Sequence, residues 1–492
     1  MAYIGRGVDN ISNVEKLDNI SFSGSTATFN LTKGGTAFIP SSAECIRLAI
    51  DGVEQGNNYT VSGSQITFDF TPSGSSTNNW IYHIGVGVIT TPADGSVTEA
   101  KIGSSAVTTA KINDGAVTSG KIASGVIPST RPNANPLIIN GDMAVAQRST
   151  SASSISSAGY HALDRFRYSN SSSAVVVTIS QETLSSGNAY LNGFHNAMKL
   201  DCTTADTSVA SGHLTAMQYK LEAQDCTVFR KGTANAQKMT VAFWFKATKT
   251  GTYILQLGDS DNNRKISKSY TVSTTNTWEH KVLVFDIETS NPMNDDNGAG
   301  FVLTWWLVAG SDYSGGTLAT SWEANEFNSN SAVGQVNAFD STSNNVHITG
   351  IQAEVGEFTS TTLPPFQHES FADNLRRSQR YYHHYQLDDG SAGGISLCDG
   401  YWENSTTFYG TLVSNPTMRS TPSMTTTGTV SDYGIRCSSN TIEATTLDIL
   451  VNTNTNCRVR GVVSSGGTQN AAGQILDRNV NDNTFIALNS EL

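Results

Sequence analysis

Short apolar runs and apolar–polar alternations of strand length recur along almost the whole chain, separated by clusters of Gly, Asn, Ser and Thr. Residues 1 to about 90 carry ATFNL (27–31), CIRLAI (45–50), YTVSG (59–63), SQITFDF (64–70) and WIYHIGVGVI (80–89). Such patterns predict half-buried or buried strands. DGVEQGNNYT between two of these runs supplies Gly and Asn for turn positions with φ > 0.

From about 94 to 127 the pattern changes to a ten-residue beat, with Val97, Val107 and Val117, Lys101, Lys111 and Lys121, and Ile102, Ile112 and Ile122 in phase. A helical period would carry successive Val and Ile to different faces, and a straight strand would put them on opposite sides. Gly95, Gly115, Gly120 and Gly125, with Asp94 and Asp114, bend very short extended pieces. Burying two side chains is worth a few kcal/mol, against ordering costs of ~1–2 kcal/mol per residue. A single unit therefore cannot fold alone. Several copies of the chain on a common axis could pool Val97, Ile102, Val107, Ile112, Val117 and Ile122 into one core. The in-phase copies favour such a neck over a flexible linker.

VIPSTRPNANPLIINGDM (126–143) has the Pro and Asn content of a hinge. Beyond it the β pattern returns in AVVVTIS (174–180), KMTVAFWFKA (238–247), GTYILQLG (251–258), EHKVLVFDI (279–287), FVLTWWLVAG (301–310) and NVHITGIQAEVG (345–356). In the second of these, Val241, Phe243 and Phe245 share one face and Trp244 lies opposite. The pattern predicts an antiparallel two-sheet sandwich or jelly roll. SFADNLRRSQRYYHHYQ (370–386) reads as a helix capped by Ser370, with Phe371, Leu375, Ser378 and Tyr382 as its stripe. The remaining residues return to short strands. The expected fold is all-β: an N-terminal β-domain (1–92), a repeat neck (93–128), a jelly-roll sandwich (129–368), a helical linker (369–386) and a C-terminal β-domain (387–492).

Composition narrows the function classes. The 492 residues carry a formal charge of −12, yet only 15% are charged, well below the ~25% usual for globular proteins. So few Lys and Arg argue against nucleic-acid binding. No run reaches the ~20 apolar residues of a membrane span, so no membrane insertion is expected. The opening residues lack a basic stretch followed by an apolar core, so no secretory signal is expected. Cys45, Cys202, Cys226, Cys398, Cys437 and Cys457 form no CxxC pair and read as buried thiols of a chain made in a reducing cytoplasm.

Several phrases resemble bacteriophage tail-fibre proteins, especially those of short-tailed phages of marine bacteria. DGVEQGNNYTVSGSQITFDFTP (51–72) resembles a module near the start of many fibres, and DGSVTEAKI and DGAVTSGKI resemble fibre neck repeats. PLIINGDMAVAQRS (136–149) and GYHALDRFRY (159–168) are similar to the opening of a central jelly roll, through Asn140, Gly141, Gln147, Arg148, Asp164, Arg165 and Phe166. ITGIQAEVGEFTSTTLPPFQHESFADNLRRSQRYYHHY (348–385) resembles the end of that domain, through Gln352, Glu354, Gly356, Pro365, Phe366, Gln379, Arg380, Tyr381 and Tyr382. NPTMRSTP (415–422) and the closing FIALNSEL resemble a final β-domain. The resemblance implies a homotrimeric virion fibre, attached by its N-terminal part to tail proteins near the adaptor or portal. Its distal domains would face a bacterial surface glycan or outer-membrane receptor. It does not make these phrases a binding site; a structural role is expected for them.

Aromatic rings that could stack on sugars are Trp244, Trp278, Trp305, Trp306, Trp322 and Trp402, although sandwich cores also need such rings. KMTVAFWFKATKTGTYILQL followed by NTWEHKVLVFDI resembles the jelly rolls of carbohydrate-binding modules. Tyr401, Trp402 and Tyr409, in DGYWENSTTFYG, are the expected receptor-contact residues. His383 and His384, adjacent on the expected helix, would point ~100° apart and so read as a solvated pair, not as metal ligands. DSDNNRKIS (259–267) and NPMNDDNGAG (291–300) are oxygen-rich loops that could hold a structural Ca²⁺, with solvated turns as the simpler reading. No cofactor is expected. No GxSxG, HExxH or P-loop motif occurs, so the chain is not expected to be an enzyme. A head or neck fibre or decoration protein, and a tailspike-like glycan depolymerase, are the competing readings.

Overall fold

The computed structural model describes residues 14–84, 102–108, 111–112, 136–325, 330–387, 395–426, 429–478 and 484–492. The chain divides into two units, residues 1–123 and 124–492. In the first unit the strands are β1 (Val14–Lys16), β2 (Thr28–Asn30), β3 (Thr32–Lys33), β4 (Thr36–Ala37), β5 (Ile46–Ile50), β6 (Val53–Gln55), β7 (Tyr59–Ser62), β8 (Gln65–Phe68) and β9 (Trp80–Ile84). They form sheets ordered β1-β9-β5-β6 and β2-β8-β7, with a β3–β4 hairpin. Leu17, Leu31, Leu48, Ile66, Phe68 and Ile81 close a small core between them. Asp51 and Gly52 both have φ > 0 in the two-residue loop between β5 and β6, the geometry that matches the twist of a tight hairpin.

Of the six neck positions, Ile102, Val107 and Ile112 are exposed in the single chain, at 46%, 55% and 42%. Val97, Val117 and Ile122 lie outside the described residues.

The second unit opens with a sandwich of β10 (Ser151–Ile155), β11 (Phe166–Ser171), β12 (Val176–Thr183), β13 (Asn196–Thr204), β14 (Leu214–Glu222) and β15 (Met239–Ala247). It continues with β16 (Gly251–Asp259), β17 (Arg264–Val272), β18 (Glu279–Phe285), β19 (Ala299–Ala309), β20 (Glu323–Ala324) and β21 (Asn345–Val355). One sheet runs β10-β12-β13-β21-β15-β18 and the other β11-β14-β19-β16-β17-β20. The pairings within both sheets are antiparallel. Val241, Phe243 and Phe245 point into the core with Leu303 and Trp305, while Trp244 faces outward, as alternation along β15 requires. Edge-to-face contacts of Phe243 with Tyr270 and with Trp305 fill the space between the sheets.

A helix follows at Phe371–Gln379, its first turn capped by the Ser370 hydroxyl, which accepts a hydrogen bond from Asp373 N. It is shorter than the predicted 370–386. Tyr382–Gln386 is instead strand β22, paired with a later strand, so the expected helical placement of His383 and His384 is wrong. Consecutive aromatic residues suit a pleated surface better than a helix. The two imidazoles are half-buried, not solvated: His383 stacks on Tyr385 and His384 on Phe485. Phe371 is exposed, and the helix buries Asn374 and Ser378 instead.

The C-terminal strands are β23 (Ser396–Trp402), β24 (Thr407–Val413), β25 (Ser423–Thr426), β26 (Tyr433–Cys437), β27 (Asn440–Asn452), β28 (Asn456–Val463), β29 (Ala472–Asp477) and β30 (Phe485–Asn489). Six of them close a barrel, β23-β24-β28-β27-β26-β29, flanked by a β22-β30-β25 sheet. The described residues are thus all-β apart from short helices. All six cysteines are buried and free. No helix among the described residues is long and apolar enough to cross a membrane.

Within the second unit, the fibre-like phrases of 136–168, 348–385 and the closing residues meet where sandwich and barrel join. Asn140 orders the first phrase by donating to the carbonyls of Val145 and Asp164 while its own carbonyl accepts from Val145 N. Arg148 pairs with Asp164 at 2.9 Å and with Glu491 at 3.2 Å, and Arg165 pairs with Glu491 at 2.5 Å. Arg380 and the Tyr381 hydroxyl both donate to Glu222. Each of the first two guanidiniums also lies on a ring, Arg148 on Tyr382 and Arg165 on Tyr381, 3.7 and 3.4 Å from the centroids. Three carboxylates therefore face three guanidiniums in a largely buried junction. Burial pushes Asp164 up to about 6 despite Arg148. Burial works the same way on Glu222, but the hydrogen bonds from Arg380 and Tyr381 outweigh it and hold that carboxyl below its ordinary range.

Candidate functional site

The residues expected to touch a receptor lie on the β23–β24 hairpin, and alternation separates them. Tyr401 points outward, 46% exposed, and its cross-strand partner Tyr409 lies beside it, ring centroids 6.0 Å apart. Trp402, one residue on, points into the closed barrel and is fully buried. Its indole N–H donates to the Arg436 carbonyl, and Phe408 packs edge-on at 5.8 Å. Gly467 and Gly473 leave the slot it fills: a Cβ at Gly467 would stand 2.2 Å from the ring. Trp402 is therefore a core residue and not a receptor contact. Arg458 of β28 lies over the Tyr409 ring at 4.0 Å and donates to the Tyr401 hydroxyl.

The other tryptophans divide in the same way. Trp305 fills the sandwich core, Trp306 packs with Ile254 and Ala332, and Trp278 with Leu184, Ala189 and Phe194. Trp322 is half-buried, its N–H donating to Asp286 O. Trp244 stands in a groove on the outer face of its sheet.

That groove, with a volume of about 430 Å³, has walls from four stretches of the chain: residues 192–194, Trp244, His280 and residues 350–368. Trp244 of β15 and its cross-strand partner His280 of β18 stack at 4.9 Å and 30°. Opposite them Phe194, Phe366 and His368 form a mutual cluster with centroids 4.8–5.2 Å apart. Gly350 of β21 has φ +63°, and a Cβ there would meet the Phe194 ring at 2.7 Å, so the ring can lie across this strand only because the residue is glycine. Gln352 lines the groove and is 6% exposed. Its amide nitrogen donates to Pro364 O, and its carbonyl oxygen has no hydrogen-bond partner among the described residues. A buried acceptor left open in an aromatic groove is suited to receive a ligand hydroxyl. The sequence signals for this site were the outward Trp244 and the Pro365–Phe366 pair. Phe194, His280 and Gln352 are too far apart along the chain for spacing to unite them.

The two oxygen-rich loops do come together. Asn294 donates to Asp261 through backbone and side chain, and Asn262 donates to Asp259 and to the carbonyls of Asn291 and Pro292. Two positive charges meet these oxygens: the Lys231 ammonium, buried 2.8 Å from Asp259 and 3.4 Å from Glu288 with the Asn291 carbonyl also accepting, and the Arg264 guanidinium, 2.6 Å from Glu288. The chain's own cations thus already lie among these oxygens. Among the described residues no group of three or more His, Cys, Asp or Glu side chains is placed to hold a metal.

No protein-family model matches the chain, and no curated protein matches it. Among solved structures it is similar to the enzymatically active domain of tailspike protein 4 of bacteriophage CBA120, at 12% identity and a TM-score of 0.23, over 45% of this chain and 21% of that one. It is also similar to a family 11 carbohydrate-binding module from Clostridium thermocellum in complex with a mixed-linked tetrasaccharide, at 10% identity and a TM-score of 0.21, over 44% and 98%. The carbohydrate-binding and catalytic modules of xylanase 10B from the same organism align at 7% identity and 0.21, over 45% and 28%.

Proposed function

We propose that this chain is the subunit of a homotrimeric bacteriophage tail fibre that is fixed to tail proteins by its N-terminal region and adsorbs to a host-surface glycan through its distal β-domains. The observation that carries the glycan reading is the groove beside Trp244, where two aromatic walls flank an unpaired amide carbonyl. Aromatic faces suit the C–H faces of sugar rings, and the Gln352 carbonyl suits a hydroxyl. The fibre reading is supported by the order of the phrases that resemble tail fibres. The apolar neck positions exposed in one chain are compatible with a shared core. Three copies per fibre and several fibres per particle would turn weak contacts into firm attachment through effective concentration. In this reading the protein binds without cleaving.

Two measurements test it. Sedimentation equilibrium of the full chain should return three times the monomer mass; a stable monomer would remove the neck argument. A panel of host polysaccharides should retain the full chain, and Trp244→Ala should lower that affinity by an order of magnitude or more. Release of oligosaccharides from any of them would instead mark a depolymerase.

A further inference from the structure

The outer face of the barrel carries a second set of groups that the groove does not use. In register across four strands lie Tyr401 of β23, Tyr409 of β24, Arg460 of β28 and Asp448 of β27. Arg460 is consumed by its own ion pair with Asp448. Arg458 is not: it is exposed, and among the described residues it has no carboxylate within ion-pairing distance. Its guanidinium is nonetheless held in place, over the Tyr409 ring at 4.0 Å and hydrogen-bonded to the Tyr401 hydroxyl at 2.9 Å. One N–H is used by Tyr401, leaving others on the solvent side. At the other end of the patch the exposed Glu403 carboxylate lies close enough to the Tyr409 hydroxyl to raise its pKa.

An immobilised, uncompensated guanidinium is the group that reads a planar oxyanion, because its fork matches a carboxylate and little rotamer freedom is left to lose. The neighbouring tyrosine rings offer an apolar floor, and Glu403 offers an acceptor for hydroxyl donors. A ligand must then present a carboxylate, hydroxyls and an apolar face within one small unit. We propose that the Tyr401–Tyr409–Arg458 face of the barrel binds the hexuronic acid residues of an acidic polysaccharide, with Arg458 on the carboxylate. This rests on the reading of the chain as a glycan-binding protein, but uses a different site and a different chemical feature of the glycan. The net charge of −12 opposes any polyanion, so the attraction has to be local and steeply weakened by salt.

The test compares oligogalacturonate with the same oligomer after carboxyl reduction, using the full chain and biolayer interferometry at low and high NaCl. The acidic form should bind about tenfold more tightly at low salt, as a charge-assisted contact requires. Arg458→Gln should abolish that difference, Arg458→Lys should keep part of it, and Tyr409→Ala should weaken both forms. Trp244→Ala should leave the difference intact, so failure of the groove and failure of this site are read separately. Equal binding of the two oligomers, or an acidic preference unchanged in Arg458→Gln, would overturn the proposal. Arg458 is exposed and Tyr409 lies half-buried on the outer face, so near-wild-type thermal melting should confirm that these variants fold.

Discussion

Glu491 offers the sharpest test of how the second unit is held together. Its side chain is 4% exposed and meets two guanidiniums, Arg148 and Arg165, the latter fully buried. Arg148 keeps a second carboxylate, Asp164, when Glu491 is removed. Arg165 keeps only a hydrogen bond to the Lys220 carbonyl and its stacking on Tyr381 and Tyr219. Its Nε already lacks a partner among the described residues. Glu491→Ala therefore strands a buried positive charge. Breaking a buried pair from one side costs about 3–5 kcal/mol, much of it the desolvation of the charge left behind. Glu491→Gln keeps an acceptor but loses the charge and should cost about 1.5–3 kcal/mol. Urea unfolding of the full chain, followed by far-UV circular dichroism and by hydrogen exchange of barrel and sandwich amides, measures both. The alanine variant should lose protection first in β22 and β30, the strands nearest the junction. Replacing Arg165 and Glu491 together by Met should recover part of the loss, since neither charge is then orphaned. A loss below about 1 kcal/mol for Glu491→Ala would refute the reasoning and reduce the pair to a surface contact.

Other outcomes follow from single side chains. Trp402→Ala empties a slot at the centre of the barrel and should cost about 3–5 kcal/mol, whereas Tyr401→Ala should stay within about 0.5 kcal/mol; chemical denaturation distinguishes them. Burial and neighbouring His384 depress the His383 imidazole to about 4 from its ordinary 6.5. The unfolded chain then binds the proton more readily, so this contribution is whole above pH 6.5 and is lost as pH falls towards 4. Allowing for partial solvent access it is worth about 1–2 kcal/mol, and His383→Phe should flatten the pH dependence of melting between 6.5 and 4.5. Asp164, raised to about 6, works in the opposite sense, since it gains its proton and relieves a buried charge as pH falls through 6. It is common to both proteins and cancels in the comparison. Because Lys231 pairs with Asp259 and Arg264 pairs with Glu288, chelators should leave the melting temperature unchanged, and Lys231→Met should cost about 3–5 kcal/mol. A drop in melting temperature on adding EDTA would show that a bound metal shares the site.

Much of the architecture was legible in local patterns. Alternation placed Val241, Phe243 and Phe245 inside and Trp244 outside, turn chemistry marked the Asp51–Gly52 hairpin, and Ser370 marked the helix start. Such signals are local because strand pleat and capping involve only neighbours in sequence. Strand β17 was harder to read, since Lys268 interrupts the apolar face of Ile266, Tyr270 and Val272 and its opposite face carries a lysine, Lys265. Lys265 is fully buried there because Ser331, sixty-six residues away, accepts its hydrogen bond.

The side that a strand buries was decided by tertiary structure. Tyr401–Trp402 and Phe408–Tyr409 present large rings on both faces, so period two alone could not say which pair goes inward. Closure of the barrel settled it, because Gly467 and Gly473 leave space for an indole on one side only. The same holds for the charged phrases. Arg148, Asp164 and Arg165 carry the sequence signature of a surface, yet Asp164 and Arg165 are buried and Arg148 largely so, because Glu491 reaches both arginines from 326 residues beyond Arg165. Desolvating those charges is tolerable only once opposite charges and aromatic faces arrive together, and no local pattern encodes that arrival.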